Sequence, residues 1–166
     1  MEPLLKQLPV TTWGRSEIES DLVWLDCVRR VILADTGRED SPAANLDPVA
    51  MRERLRLELR AVEEQIARTK SCIACSVVLP DDDPRVAVGC TVTVADECDE
   101  KTWLIGGLVT AATGAGRLSY ESPLVRALLG REAGDEVEFV DPSGPRRARV
   151  VSIRRVMDRK SPSSRR

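Results

Sequence analysis

Four of the five cysteines in this 166-residue chain stand at spacings that raise the question of a metal centre: Cys72-x-x-Cys75, then Cys90 and Cys98. Four thiolates can hold zinc, but the second pair lacks the short spacing of a ribbon or finger knuckle. Cys72 closes a helical pattern and Cys90 sits inside a strand pattern, so buried small hydrophobes are the better reading. An odd cysteine count with no sign of secretion argues against a disulfide framework. There is no histidine, which removes Ser/His/Asp and Cys/His nucleophilic catalysis. Thr113-Gly114-Ala115-Gly116 resembles a phosphate-cradling loop only in its glycines, since no Gly-Lys-Ser/Thr or Gly-x-Gly-x-x-Gly follows. Five aromatics in all, Trp13, Trp24, Trp103, Tyr120 and Phe139, argue against base-stacking platforms and aromatic-lined pockets.

The elements that carry these residues can be read from periodicity. A helix is expected from Thr11 or Thr12, capped by threonine, with Ile18, Leu22, Leu25, Val28 and Ile32 stepping by four and three. A second begins near Val49, with Leu55, Leu59, Val62, Ile66, Thr69 and Ile73 on its seam and Arg and Glu outside. The turn-forming stretch between them predicts an antiparallel hairpin over residues 1–78 with its tip at 35–48. Its longer helix would run on the order of 35–40 Å. Residues 79–85, with three consecutive aspartates, read as a linker. Residues 86–157 predict an α+β domain: strands at Val86–Ala95, Thr102–Val109, Glu136–Val140 and Ala148–Val156 form a mostly antiparallel sheet. One short helix enters at Ser122-Pro123, where serine caps and proline opens the first turn. Its inward face is expected to be Leu124, Leu128 and Leu129, and Gly130 is expected to end it in the left-handed conformation. From Arg146 onward the chain is rich in arginine, and 158–166 read as a basic disordered tail, solvated or touching nucleic acid. No apolar run suits a membrane span or signal peptide, so a cytoplasmic location is expected.

The string Ser119-Tyr120-Glu121-Ser122-Pro123-Leu124-Val125-Arg126-Ala127-Leu128-Leu129-Gly130, with Gly134-Asp135 after it, resembles the C-terminal signature of the Gre family of bacterial transcription elongation factors. Pro9-Val10-Thr11-Thr12-Trp13-Gly14, Leu22-x-x-Leu25, Arg29-Arg30 and Val86-x-x-Gly89 resemble family motifs too, so the similarity covers nearly all but the tip and tail. The resemblance implies a coiled-coil hairpin followed by an FKBP-like domain. It implies a monomer that docks on the rim of the secondary channel of bacterial RNA polymerase, with Glu121, Ser122 and Pro123 at the positions of the docking motif. The hairpin would enter the channel and bring its tip near the RNA 3′ end. Tip carboxylates of cleavage-stimulating members help hold the polymerase's own Mg²⁺, so such a factor has no cofactor of its own and is not itself an enzyme. Here the family's Asp-x-x-Glu tip is absent; Glu39, Asp40 and Asp35 are the remaining acidic candidates. Two readings within the family therefore stand: a factor that stimulates cleavage of backtracked RNA, or a regulator that occupies the channel without doing so. Outside it stand a prolyl isomerase built on the FKBP-like domain and a nucleic-acid-binding module led by the basic tail.

Overall fold

The computed structural model describes residues 7–35, 48–96, 99–109 and 116–156. These divide into two compact units, one comprising residues 19–74 and the other the chain up to residue 18 together with everything from residue 75. The division falls at 18/19 and 74/75, whereas the sequence placed a boundary at 78.

The helical unit is built from α1 (Thr12–Asp35) beyond its first turns and from α2 (Pro48–Cys75). Proline at the first position of α2 costs nothing, because that N–H has no partner within a helix. The expected seams are the covered faces: Leu25, Ile66 and Thr69 are buried, and Leu22, Val28, Ile32, Leu55, Leu59 and Val62 are half-buried. On α2 the charged positions between them are exposed and carry ion pairs along the helix, Arg54 to Glu58 at 2.9 Å and Arg60 to Glu64 at 3.5 Å. Such exposed pairs contribute only a few tenths of a kcal/mol each. At 28 residues, α2 is about 42 Å long, slightly beyond expectation.

The second unit begins with β1 (Leu8–Val10), which runs parallel to β2 (Ser76–Val78) and bridges Val88 on its other side. Neither partner strand was anticipated. A five-stranded sheet follows, made of β3 (Cys90–Ala95), β4 (Glu100–Gly106), β5 (Arg117–Ser119), β6 (Glu136–Asp141) and β7 (Gly144–Arg155). Its order is β5-β4-β3-β7-β6, and only the β4–β5 pair is parallel. The first strand starts at Cys90 rather than at Val86, because Gly89 at φ +95° breaks the extended run. Val86–Val88 is fully buried beside β1 instead. Likewise β4 ends at Gly106, short of the expected Val109.

A close backbone approach joins the two ends of this unit. Thr11 is the helix cap: its Oγ1 accepts the Gly14 N–H at 2.9 Å, and its own N–H donates to the Val88 carbonyl at 2.8 Å. A Cβ on Gly14 would stand 2.1 Å from the Val88 oxygen, and one on Gly89 would stand 2.0 Å from Thr11 Oγ1. The Pro-x-Thr-x-x-Gly and Val-x-x-Gly motifs therefore meet at a point where side chains do not fit.

All five arginines between Arg146 and Arg155 lie in β7, Arg149, Arg154 and Arg155 in the strand expected at Ala148–Val156 and Arg146 and Arg147 in its extension toward Gly144. Three are engaged there: Arg147 pairs with Glu138 at 2.7 Å, Arg155 donates to the Asp83 carbonyl at 2.8 Å, and Arg146 binds two aspartates described below. Residues 157–166 lie outside the described residues, as do Cys98 and positions 113–115 of the glycine-rich loop. No helix among the described residues is long and apolar enough to cross a membrane.

Candidate functional site: an apolar cleft beside the capped helix

The short helix α3 (Pro123–Leu128) is fixed at both ends by the residues expected to fix it. Ser122 is extended, at φ −64° and ψ 143°, and its hydroxyl accepts the Val125 N–H at 3.3 Å. The Leu129 N–H donates to the Val125 carbonyl, and Gly130, at φ +78°, hands its N–H to the Val86 carbonyl at 2.9 Å. The inward face differs from expectation by one residue: Val125, Leu128 and Leu129 are buried, and Leu124 is half-buried. A six-residue helix has fewer than two turns. Placing Val125 and Leu128 inward therefore swings Leu124 to the side.

That swing makes Leu124 part of a cleft of about 260 Å³ between α3 and the concave face of the sheet. Ser122 and Pro123 form its wall, and Trp103, Leu118, Phe139, Val94 and Ala148 line its interior. Trp103, Leu118, Leu124 and Phe139 are only half-buried, so the cleft presents apolar surface to solvent. The strand residues arrive there by alternation: Trp103 and Lys101 on β4, Phe139 and Asp141 on β6, Ala148 and Arg146 on β7 all point to one face. Sequence reasoning argued against an aromatic-lined pocket. Strand register brings two of the five aromatics, Trp103 and Phe139, to this cleft among mainly aliphatic and charged residues, while Tyr120 is buried. The period-two pattern was visible; the pairing that gathers three strands was not.

One end of the cleft is charged. Arg146 binds Asp96 and, at 3.3 Å, Asp141 Oδ2, while the Ser143 N–H donates to Asp141 Oδ1 at 2.7 Å. The Ser143 N–H, followed by Arg146, holds the Asp141 carboxyl below its ordinary range. The Arg146 guanidinium is pushed up by its bond to Asp141 and by the charge of Asp96. Lys101 and Asp99 face each other at 3.7 Å on the same rim. Among the described residues Ser122 is the one hydroxyl in the lining, and it already serves as a cap. The cleft suits an apolar side chain presented beside polar or charged groups.

Of the three proposed docking residues, Ser122 and Pro123 line the cleft and Glu121 does not. Glu121 is half-buried just before the cap, and its N–H donates to Ser119 Oγ at 3.1 Å. Of the tip acids, Asp35 is the last residue of α1, and Glu39 and Asp40 lie outside the described residues. Among the described residues no group of three or more potential ligand side chains converges on a metal position. Cys72 is buried, Cys75 half-buried, and Cys90 fully buried with its thiol pushed up by desolvation.

Residues 81–155 match the C-terminal domain of the transcription elongation factors GreA/GreB. Transcription elongation factor GreA of Chloroflexus aurantiacus is 31% identical over 150 residues, covering 87% of this chain and 96% of that protein. Its counterpart from Cereibacter sphaeroides is 30% identical over 157 residues, covering 90% and 99%. The chain belongs to the GreA/GreB family. The crystal structure of GreA factor homolog 1 (Gfh1) of Thermus thermophilus aligns at a TM-score of 0.43 and 20% identity, over 89% of this chain and 98% of that one. The family match spans every residue of the cleft, so the cleft of this GreA/GreB member lies wholly within the matched domain.

Proposed function

We propose that this protein is a transcription elongation factor that binds bacterial RNA polymerase through the cleft beside α3 and acts on the polymerase active site through its helical hairpin. The observation that carries this reading is the position of Ser122 and Pro123 on the wall of a solvent-open apolar cleft. A site with apolar walls and a charged rim is suited to hold a protein surface rather than to transform a substrate. On this reading the partner is the rim of the polymerase secondary channel, and the factor is not itself an enzyme. The chemistry would be the polymerase's nuclease activity with the polymerase's own Mg²⁺. Glu39, Asp40 and Asp35 are the residues through which this chain would orient that metal's water shell, since carboxylate oxygens suit a hard ion that retains several waters. The missing Asp-x-x-Glu at the tip supports a second reading, a channel-occupying regulator that leaves cleavage unstimulated.

The test is RNA cleavage in a stalled, backtracked elongation complex of the cognate polymerase, with and without the protein. Accelerated, Mg²⁺-dependent release of short 3′ fragments supports the cleavage factor. No acceleration, combined with competition against an authentic Gre factor, supports the regulator. Absence of both effects overturns the polymerase reading.

A further inference from the structure

The cleft beside α3 has room for a side chain rather than for a whole small molecule. At about 260 Å³ it falls below the ~300–1,000 Å³ of pockets that enclose such ligands. Its interior of Trp103, Leu118, Leu124 and Phe139 is apolar and only half-buried. The charges in its lining are unequal: Asp96, Asp99 and Asp141 stand against Lys101 and Arg146. Lys101 and Asp99 face each other at 3.7 Å with most of both side chains exposed, so water screens that pair. The other three groups are placed differently. Asp96 follows β3, Asp141 ends β6, and the single guanidinium of Arg146 spans both, at 3.3 Å from Asp141. The two carboxylates are only 25% and 22% exposed, so their field is screened less than that of a surface acid. One cation shared between two partly buried acids leaves negative charge at the polar end of an apolar cleft.

We infer that the cleft selects a segment in which one large apolar residue stands beside a lysine or arginine. The apolar side chain fills the cleft, and the cation completes the group formed by Asp96, Arg146 and Asp141. This rests on the polymerase reading above, in which the segment belongs to the channel rim. Asp141 can serve as a fixed anion, because the Ser143 N–H and Arg146 hold its carboxyl below the ordinary range. A segment with an acid beside its apolar residue would bring that acid against Asp96 and Asp141 as the docked surface removes their water. Juxtaposed like charges are strongly disfavoured, so the same group that favours one segment rejects another.

Competition against an authentic Gre factor on the cognate polymerase, at low and high salt, tests the charge rule. Asp141→Asn keeps an oxygen for the Ser143 N–H but removes the charge, and is expected to weaken competition about fivefold. Lys101→Gln and Arg146→Gln each remove a cation from the lining and are expected to strengthen it about twofold. All three effects shrink in high salt. A merely structural role for the charged group would make Asp141→Asn and Arg146→Gln fail alike, and Lys101→Gln, on the exposed rim, gives the sign without disturbing the fold. Competition by the unmodified protein with Asp141→Asn unchanged, or with Lys101→Gln weakened, overturns the inference and leaves the polymerase reading standing. A second measurement needs no polymerase. The Trp103 indole N–H signal of the unmodified chain, followed by NMR, is expected to shift with millimolar acetyl-Gly-Leu-Arg-Gly-amide and to need about fivefold more acetyl-Gly-Leu-Glu-Gly-amide. If the unmodified protein does not compete at all, the polymerase reading falls and this titration decides alone. Preference for the basic peptide then upholds the charge rule, and equal or reversed preference overturns it.

Discussion

Gly14→Ala is the substitution on which local and tertiary reasoning give opposite signs. Gly14 lies in the first turn of α1, where alanine is favoured over glycine by roughly 1 kcal/mol on helix propensity. Judged from the helix alone, the change stabilises. In the folded unit, however, the new Cβ meets the Val88 oxygen at 2.1 Å, the Val88 carbonyl carbon at 2.4 Å and the Gly89 nitrogen at 2.9 Å. All three atoms are backbone, so no side chain can rotate away. Relief requires a shift of about 1 Å or more between the helix start and residues 88–89. That shift strains the Thr11 N–H bond to Val88 at 2.8 Å and the Val88 N–H bond to Pro9 at 3.0 Å. Overpacking of this kind costs about 1–3 kcal/mol, and each weakened buried hydrogen bond adds about 1. Against the propensity gain, a net loss of about 2–4 kcal/mol is expected, or roughly 4–16 °C in Tm for a chain of this size. Thermal unfolding followed by circular dichroism at 222 nm, with tryptophan fluorescence as a second probe, measures it. A Gly14→Ala protein as stable as the original, or more so, would refute the close approach as a determinant of the fold.

Ser122→Ala removes the cap of a helix with fewer than two turns and is expected to cost about 0.5–2 kcal/mol, read from the urea midpoint; on the proposed reading it also weakens polymerase binding. On the same proposed reading, Trp103→Ala and Leu124→Asp, which alter the cleft but not the buried core, are expected to weaken polymerase binding at least tenfold in a competition assay while leaving the unfolding midpoint nearly unchanged. Glu39→Ala/Asp40→Ala is expected to abolish any cleavage stimulation and to leave that competition intact; full stimulation by the double variant would remove these residues from the tip chemistry. Asp83 accepts two hydrogen bonds from the Arg85 guanidinium, at 2.9 and 2.6 Å, and one from its N–H at 3.0 Å. These bonds hold its carboxyl at about 2. A depressed folded value means that the stabilisation is complete above the ordinary carboxylate range near 3.9 and is lost as pH falls through about 2. An NMR titration should find the Asp83 midpoint near 2 and find it raised in Arg85→Gln.

The sequence by itself determined the local structure. Apolar residues stepping by four and three specified both long helices, because helical geometry returns side chains to one face at that interval whatever lies opposite. Thr11, Ser122-Pro123 and Gly130 specified the caps for an equally local reason: each satisfies or redirects backbone groups within four residues of itself. The Ser-Pro signature was legible as a capped helix, and its extended likeness to the Gre family was legible as well. Tertiary structure decided what depends on groups distant in the chain. Residues 76–78 and 88 became the two neighbours of β1 through hydrogen bonds between segments more than sixty residues apart, for which no local pattern exists. Arg146 and Arg147, which read as lying ahead of the last strand, became strand residues paired with carboxylates, Arg146 with Asp96 and Asp141 and Arg147 with Glu138. The cleft exists only because strand pairing places Trp103, Phe139 and Ala148 on one concave face and a one-residue rotation of α3 turns Leu124 toward them. Gly14 shows the division most sharply: its type was plain in the sequence, but the carbonyl that forbids a side chain there arrives from residue 88 only when the chain has folded.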